Sequence, residues 1–253
     1  MAKKQNGSAR TTIEEVNEQI TGAVQRVEDN KKMITYVLTG IVAVILLVAG
    51  YVYLVRNPNI AKAKEDISVA DMALMQNDTA KALAQYLAVA DQFSNKPANR
   101  AHLNAAIMLY QQGKFEQAAK QLEDYDPAGN LIGPASQSLL GDCYVNLKQY
   151  DKALSAFDKA VKLCDGNELY APLFILKKAT VLHEQGKYAD EAAAYQIIKD
   201  KYLNFANENR VNVDKYIERA NALAANPDAA KNLVAPAAAP APADTTAAQQ
   251  PAQ

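Results

Sequence analysis

The side chains able to do covalent or metal chemistry are few and scattered. His102 and His183 are the only two histidines. Neither is followed at helical spacing by a second histidine or a cysteine, so no metal template forms. Cys143 and Cys164 are the two cysteines. On one helical hairpin they fall about 13 Å apart at about 1.5 Å of rise per residue, against a limit of about 7 Å for a disulfide. They are expected to be unpaired, as small buried apolar residues. Carboxylates are numerous but stand beside lysines, as in Asp151-Lys152 and Asp158-Lys159. That pattern reads as solvated helix faces, not as carboxylates set in an apolar site for acid–base work. Glycine-rich phosphate loops, the GxSxG elbow and HExxH are absent. No catalytic residue, metal site or cofactor is implied, and the chain reads as non-enzymatic. Recognition is the chemistry that remains, and recognition needs a surface.

The elements that would build such a surface are helix pairs. In the stretch 134–167, counting Pro134 as position 1, Leu140 and Gly141 fall at 7 and 8, Tyr144 at 11, Ala153 at 20, Phe157 at 24 and Ala160 at 27. Gly141 and Ala153 would let two antiparallel helices approach closely, while Tyr144 and Phe157 fill the space around them. This small/large pattern resembles the tetratricopeptide repeat (TPR), a helix–turn–helix unit of about 34 residues. One such unit leaves an apolar face bare, so several must stack.

Further units align on the residue after the turn. Tyr150 has counterparts in Phe115, Thr79 and Tyr188, spaced 35, 36 and 38 residues apart. The second unit keeps Ala106, Leu109, Ala118 and Leu122. The first, from Ile67 to Phe93, keeps Ala70, Ala73, Ala82, Tyr86 and Val89 but lacks the turn glycine. The fourth keeps Ala179, Leu182, Gly186 and Tyr188, then needs one inserted residue to bring Ala192 into register. Breakers at Pro97, Pro127, Gly129, Gly133, Gly166 and Pro172 fall between periodic runs, and Pro134 and Pro172 are expected at first helical positions. Val213, Tyr216, Ile217, Ala220 and Leu223 share one face of a closing helix. The expected fold class is all-α: a single transmembrane helix followed by an antiparallel helix-hairpin solenoid.

Along the chain, 1–32 is a polar tail with a short amphipathic helix over 13–29, whose Thr12 to Glu15 has capping-box spacing. Residues 33–55 contain no charged side chain, long enough at helical rise to cross a hydrocarbon core of about 30 Å. Lys31, Lys32 and Arg56 flank that segment, Tyr36, Tyr51 and Tyr53 sit near its ends, and Asn57-Pro58 is expected to end the helix. Residues 60–224 form the repeat domain, and 225–253 is an Ala/Pro-rich tail without large apolar side chains, expected to be extended and mobile. Basic residues within reach of the span balance. Lys3, Lys4 and Arg10 on the short leader then favour a cytoplasmic amino terminus with the repeats outside. Unpaired thiols suit a reducing compartment and weigh against that orientation. The net charge of −1 over 253 residues does not advertise a nucleic-acid partner.

A repeat array offers its inner surface, lined by the first helix of each pair. The candidate partner-binding groove is Arg100, Leu103, Ile107, Tyr110, Asp142, Asn146, Thr180 and His183, a mixture suited to a peptide or helix of a partner protein. The basic residue and Asn of chaperone-carboxylate clamps are replaced by Leu103 and Ile107, Ser138 and Asp142, Leu176 and Thr180, so that activity is not expected. Short tail, single span and repeats together resemble the YfgM-like family of bacterial envelope proteins and the single-span TPR proteins of Bacteroidetes-type genomes. The resemblance implies an inner-membrane protein with periplasmic repeats, ancillary to the Sec translocon and periplasmic chaperones. It implies protein or peptide partners, with neither nucleic acid nor a small-molecule substrate. The alternative is a cytoplasm-facing adaptor that recruits a soluble complex to the membrane.

Overall fold

The computed structural model describes residues 16, 20, 21, 30–164 and 166–227. The expected helix over 13–29 and the Ala/Pro tail lie almost wholly outside these residues. Among the described residues every regular element is helical. The chain divides into two compact units, Met1–Glu65 and Asp66–Gln253.

In the first unit, α1 spans Lys31–Tyr51 and leads into a π-helical stretch, Val52–Arg56. Over Lys31–Met75 the chain is long and apolar enough, by length and composition, to cross a membrane. Asn57-Pro58 does not end the helix as expected, because α2 (Asn57–Met75) continues through it. Proline lacks an N–H and its ring crowds the carbonyl four residues back. The wider π turn, in which the Asn57 N–H reaches Val52 O, absorbs that defect without breaking the helix. The boundary between the units falls within α2.

The second unit continues with α3 (Thr79–Gln92), α4 (Lys96–Gln111), α5 (Phe115–Glu123), α6 (Ile132–Asn146), α7 (Tyr150–Leu163), α8 (Tyr170–Glu184) and α9 (Tyr188–Lys201). Two more helices follow, a short α10 (Leu203–Glu208) that the periodicity does not reveal and the closing α11 (Val213–Ala225). From α3 onward each helix up to α10 packs on its neighbour in sequence, and α9 packs on α11 as well. Thr79, Phe115, Tyr150 and Tyr188, the residues that aligned the repeats, each begin the second helix of a hairpin. Two residues before each of them the backbone turns left-handed, with φ of 59° at Asn77, 73° at Gly113, 58° at Lys148 and 69° at Gly186. Each turn closes with the same bond: Asp78 N–H to Ala73 O, Lys114 to Leu109, Gln149 to Tyr144 and Lys187 to Leu182, all 2.8–2.9 Å. This is a Schellman-type stop, and four copies of it make four hairpins.

Side-chain caps start α3 at Asp78, α4 at Asn95 and α11 at Asn212. Pro134 and Pro172 are third in their helices, not first. They still lie among the opening residues whose N–H groups have no partner within the helix. The core contains the expected small/large set. Ala82, Tyr86, Ala106, Leu109, Ala118, Leu122, Ala153, Phe157 and Ala160 are all buried. A Cβ on Gly141 would lie 2.5 Å from Phe157 Cε1, so this glycine is what admits the Phe157 ring. The last hairpin and cap form a cluster around Ile175, Leu182, Tyr195, Ile198 and Val213, with Tyr216 and Ile217 of α11 packed against it.

Candidate functional site

The first helices of the repeats are α2, α4, α6 and α8, and long side chains tie them to one another. Arg100 Nη2 of α4 lies 2.5 Å from Asp71 Oδ2 of α2, and the Tyr86 hydroxyl of α3 donates to the same carboxylate at 2.5 Å. Burial, and then the Asp71 carboxylate, push the Tyr86 phenol up to about 12. It therefore stays a donor. Two repeats further on, Lys177 of α8 lies 2.5 Å from Asp142 Oδ2 of α6 and 3.1 Å from Ser138 Oγ. Burial raises the Asp142 carboxyl, and Lys177 draws it back only in part.

The rest of the face is more open. Ile107 is 39% exposed, Asn146 and Thr180 are exposed, and Leu103 and Tyr110 are half-buried. Burial raises the Tyr110 phenol, with the Asp142 carboxylate adding to the effect and the Asn146 amide opposing it. Tyr110, Asp142 and Asn146 are thus brought together across α4 and α6. Asn146 Nδ2 donates to Asp142 O at 2.8 Å, and Thr180 Oγ1 donates to Leu176 O at 3.1 Å within its own helix.

His183 is placed differently from the other candidates. Its Nδ1 is 2.8 Å from Glu191 Oε2 of α9, and its ring packs edge-on against Tyr188. Glu191 is fully buried and also accepts from Arg219 Nη2 of α11 at 2.7 Å. The Arg219 guanidinium lies over the Tyr216 ring, which stacks on Tyr195. This cluster sits inside the last hairpin and joins it to the cap. His102 is likewise turned inward, its Nδ1 2.8 Å from Gln121 Oε1. Neither histidine is a free surface group.

Cys143 and Cys164 are both free and buried. Burial raises both thiols, Cys143 to about 12, with the Asp142 carboxylate adding to the shift at that residue. Thiols held in this way are poor nucleophiles.

Asp71, Lys177, Glu191 and Arg219 are the residues that sequence reasoning passed over. A signal for some of them exists. Asp142 and Lys177 are 35 residues apart, and Asp151 stands 34 and 36 residues before Gln185 and Lys187, which both bond to it. Complementary groups separated by one repeat length mark ties between neighbouring repeats. Asp158 pairs with Lys178, 20 residues on in the next repeat, at 2.6 Å and not with its sequence neighbour Lys159, a tie that the repeat spacing does not mark.

Over residues 61–181 the chain matches the family model of a tetratricopeptide repeat-like domain. Solved structures similar to it include two crystal structures of MamA. One is 16% identical over 69% of this chain and 97% of that one, with a TM-score of 0.49; the other is 17% identical over 64% and 97%, with a TM-score of 0.47. A third is the carboxy-terminal part of a TPR repeat-containing protein from Cytophaga hutchinsonii, 22% identical over 68% of this chain and 74% of that one, with a TM-score of 0.36. No curated protein matches the chain. A TPR-like array of helix hairpins is a scaffold for protein–protein interaction.

Proposed function

We propose that this protein is a membrane-anchored scaffold whose first-helix face binds a peptide or helix of a partner protein in the cell envelope. The observation that carries the reading is the set of Ile107, Tyr110, Asn146 and Thr180, which stand on the first helices outside the Asp71–Arg100 and Asp142–Lys177 ties. It is apolar with scattered neutral polar groups, the composition that suits an amphipathic segment. The uncharged run within 33–55 supports the anchor. The basic leader supports a cytoplasmic amino terminus and periplasmic repeats. Similarity in layout to YfgM-like proteins suggests a place beside the Sec translocon and periplasmic chaperones.

Free cysteines favour the second reading, a cytoplasm-facing adaptor. Their burial weakens that argument, because a buried thiol escapes oxidation in either compartment. An alkaline phosphatase fusion after Gln253 separates the two: activity is expected, and an inactive fusion removes the periplasmic reading. A photo-crosslinking residue at Tyr110 or Asn146, read by mass spectrometry, is expected to capture envelope or secretion proteins. Adducts confined to soluble cytoplasmic proteins would overturn the assignment.

A further inference from the structure

Helix α7 divides its charges between two sides. Asp158 and Asp151 turn toward the following repeat, where Lys178 lies 2.6 Å from the first and Lys187 lies 3.4 Å from the second. Lys152, Lys159 and Lys162 turn the other way and line a cleft of about 630 Å³ between α5 and α7, floored by α6. These three lysines span about 15 Å of helix edge at about 1.5 Å per residue. Lys159 and Lys162 have no carboxylate partner among the described residues. One carboxylate, Glu123, also lines the cleft; it accepts the Tyr144 hydroxyl, which orients it but leaves its charge, so three lysines face one acid. Lys152 sits 5.2 Å above the Tyr144 ring. The rest of the lining is mainly apolar, including Leu140, Ala156 and Leu163, and Leu163 is 42% exposed.

We propose that this cleft docks an acidic peptide segment of a partner protein. Its carboxylates would lie along Lys152, Lys159 and Lys162, and an apolar side chain would rest on Leu140 and Leu163. Charge complementarity selects the occupant: the acids of α7 are paired with the next repeat, so three ammonium groups face a single carboxylate, Glu123, and the cleft keeps a net positive charge. The apolar floor selects against a simple inorganic anion, which has nothing to gain from it. The proposal uses the face built by second helices and does not depend on the first-helix reading.

The test uses the full chain in nanodiscs of phosphatidylcholine and fluorescence anisotropy. The probe is a fluorescein-labelled peptide of about ten residues alternating Glu with Leu and Phe, and a control peptide carries Gln in place of every Glu. Saturable binding of the Glu peptide alone is expected, weakening about fivefold or more between about 50 and about 300 mM salt. Lys159→Glu combined with Lys162→Glu is expected to weaken it about tenfold or more, while Lys159→Arg combined with Lys162→Arg keeps it within about twofold. Lys81→Glu, at an exposed position on α3 outside both surfaces, is expected to leave it unchanged. Circular dichroism establishes that each variant is folded, and the arginine pair guards against a merely structural loss. The proposal is overturned if the Glu peptide fails to saturate, if the Gln peptide binds equally, or if the glutamate pair has no effect. Lysine-dependent binding of phosphatidylglycerol vesicles in place of the peptide overturns it as well.

Discussion

Replacing Gly141 with alanine tests the packing on which the repeat stack rests. A Cβ at this position would stand 2.5 Å from Phe157 Cε1 and 2.8 Å from both Cδ1 and Cζ. Carbon atoms in contact sit about 3.5–4.0 Å apart, so the ring must retreat by about 1 Å. Phe157 is 1% exposed, with Ala153, Ala156 and Ala160 buried on the same helix, and a rigid ring there has little room to move. Overpacking of this kind costs about 1–3 kcal/mol. Alanine recovers about 1 kcal/mol of helix propensity relative to glycine. The expected net loss is therefore about 0–2 kcal/mol, or a fall in Tm of up to about 8 °C at roughly 2–4 °C per kcal/mol for a domain of this size. Urea and thermal unfolding of the full chain in detergent, followed by circular dichroism, would measure it. A cycle with Phe157→Leu isolates the cause, because with the ring shortened Gly141→Ala should become neutral or stabilising by up to about 1 kcal/mol. A higher midpoint for Gly141→Ala alone, or the same loss in both backgrounds, would refute the close-approach argument.

Two further outcomes follow from the geometry. Lys148 carries a left-handed backbone, φ 58°, at the turn position that two of the other hairpins give to glycine; Lys148→Gly should raise stability by about 0.5–1 kcal/mol, and Gly186→Ala should lower it by about 1 kcal/mol, both read from urea midpoints. Glu191 is fully buried between Arg219 and His183, so Arg219→Met alone strands a carboxylate and should cost about 3–5 kcal/mol; Glu191→Leu combined with Arg219→Met should recover most of that loss, and a double variant as weak as the single one would show that packing, not charge, is what Arg219 supplies.

The hairpins were legible because their register is set by local rules. Phe115, Tyr150, Tyr188 and even Thr79 mark the start of a second helix, although the first repeat has neither the signature glycine nor a turn glycine. Asn77 takes the left-handed position there, which asparagine tolerates better than most residues, and the hydrogen bonds around it match those of the other turns. The π-helical passage before Pro58 was not legible, since proline more commonly ends a helix than diverts it. Nor was the Glu191 cluster. Glu191 looks like one more exposed acid in a helix rich in charge, and only the docking of α11 brings Arg219 over it. Local pattern reaches as far as the hairpin, whereas the charge partners depend on how one hairpin meets the next.

That dependence also limits what each face can recognise. On the first-helix face Arg100 and Asp142 are engaged in ties between repeats, and His183 is turned into its own hairpin. Of the candidate groove residues, those left open and outside any ion pair are Ile107, Asn146 and Thr180, all neutral, so selection by them must come from shape and from burial of apolar surface. On the second-helix side the balance is reversed, because the same inter-repeat pairing that engages Asp151 and Asp158 leaves Lys152, Lys159 and Lys162 facing one carboxylate, Glu123. Association at that side should be steered by charge and weakened by salt, whereas association at the first-helix face should be nearly indifferent to it. Two surfaces with different salt responses would let one scaffold hold two unlike partners without competition between them.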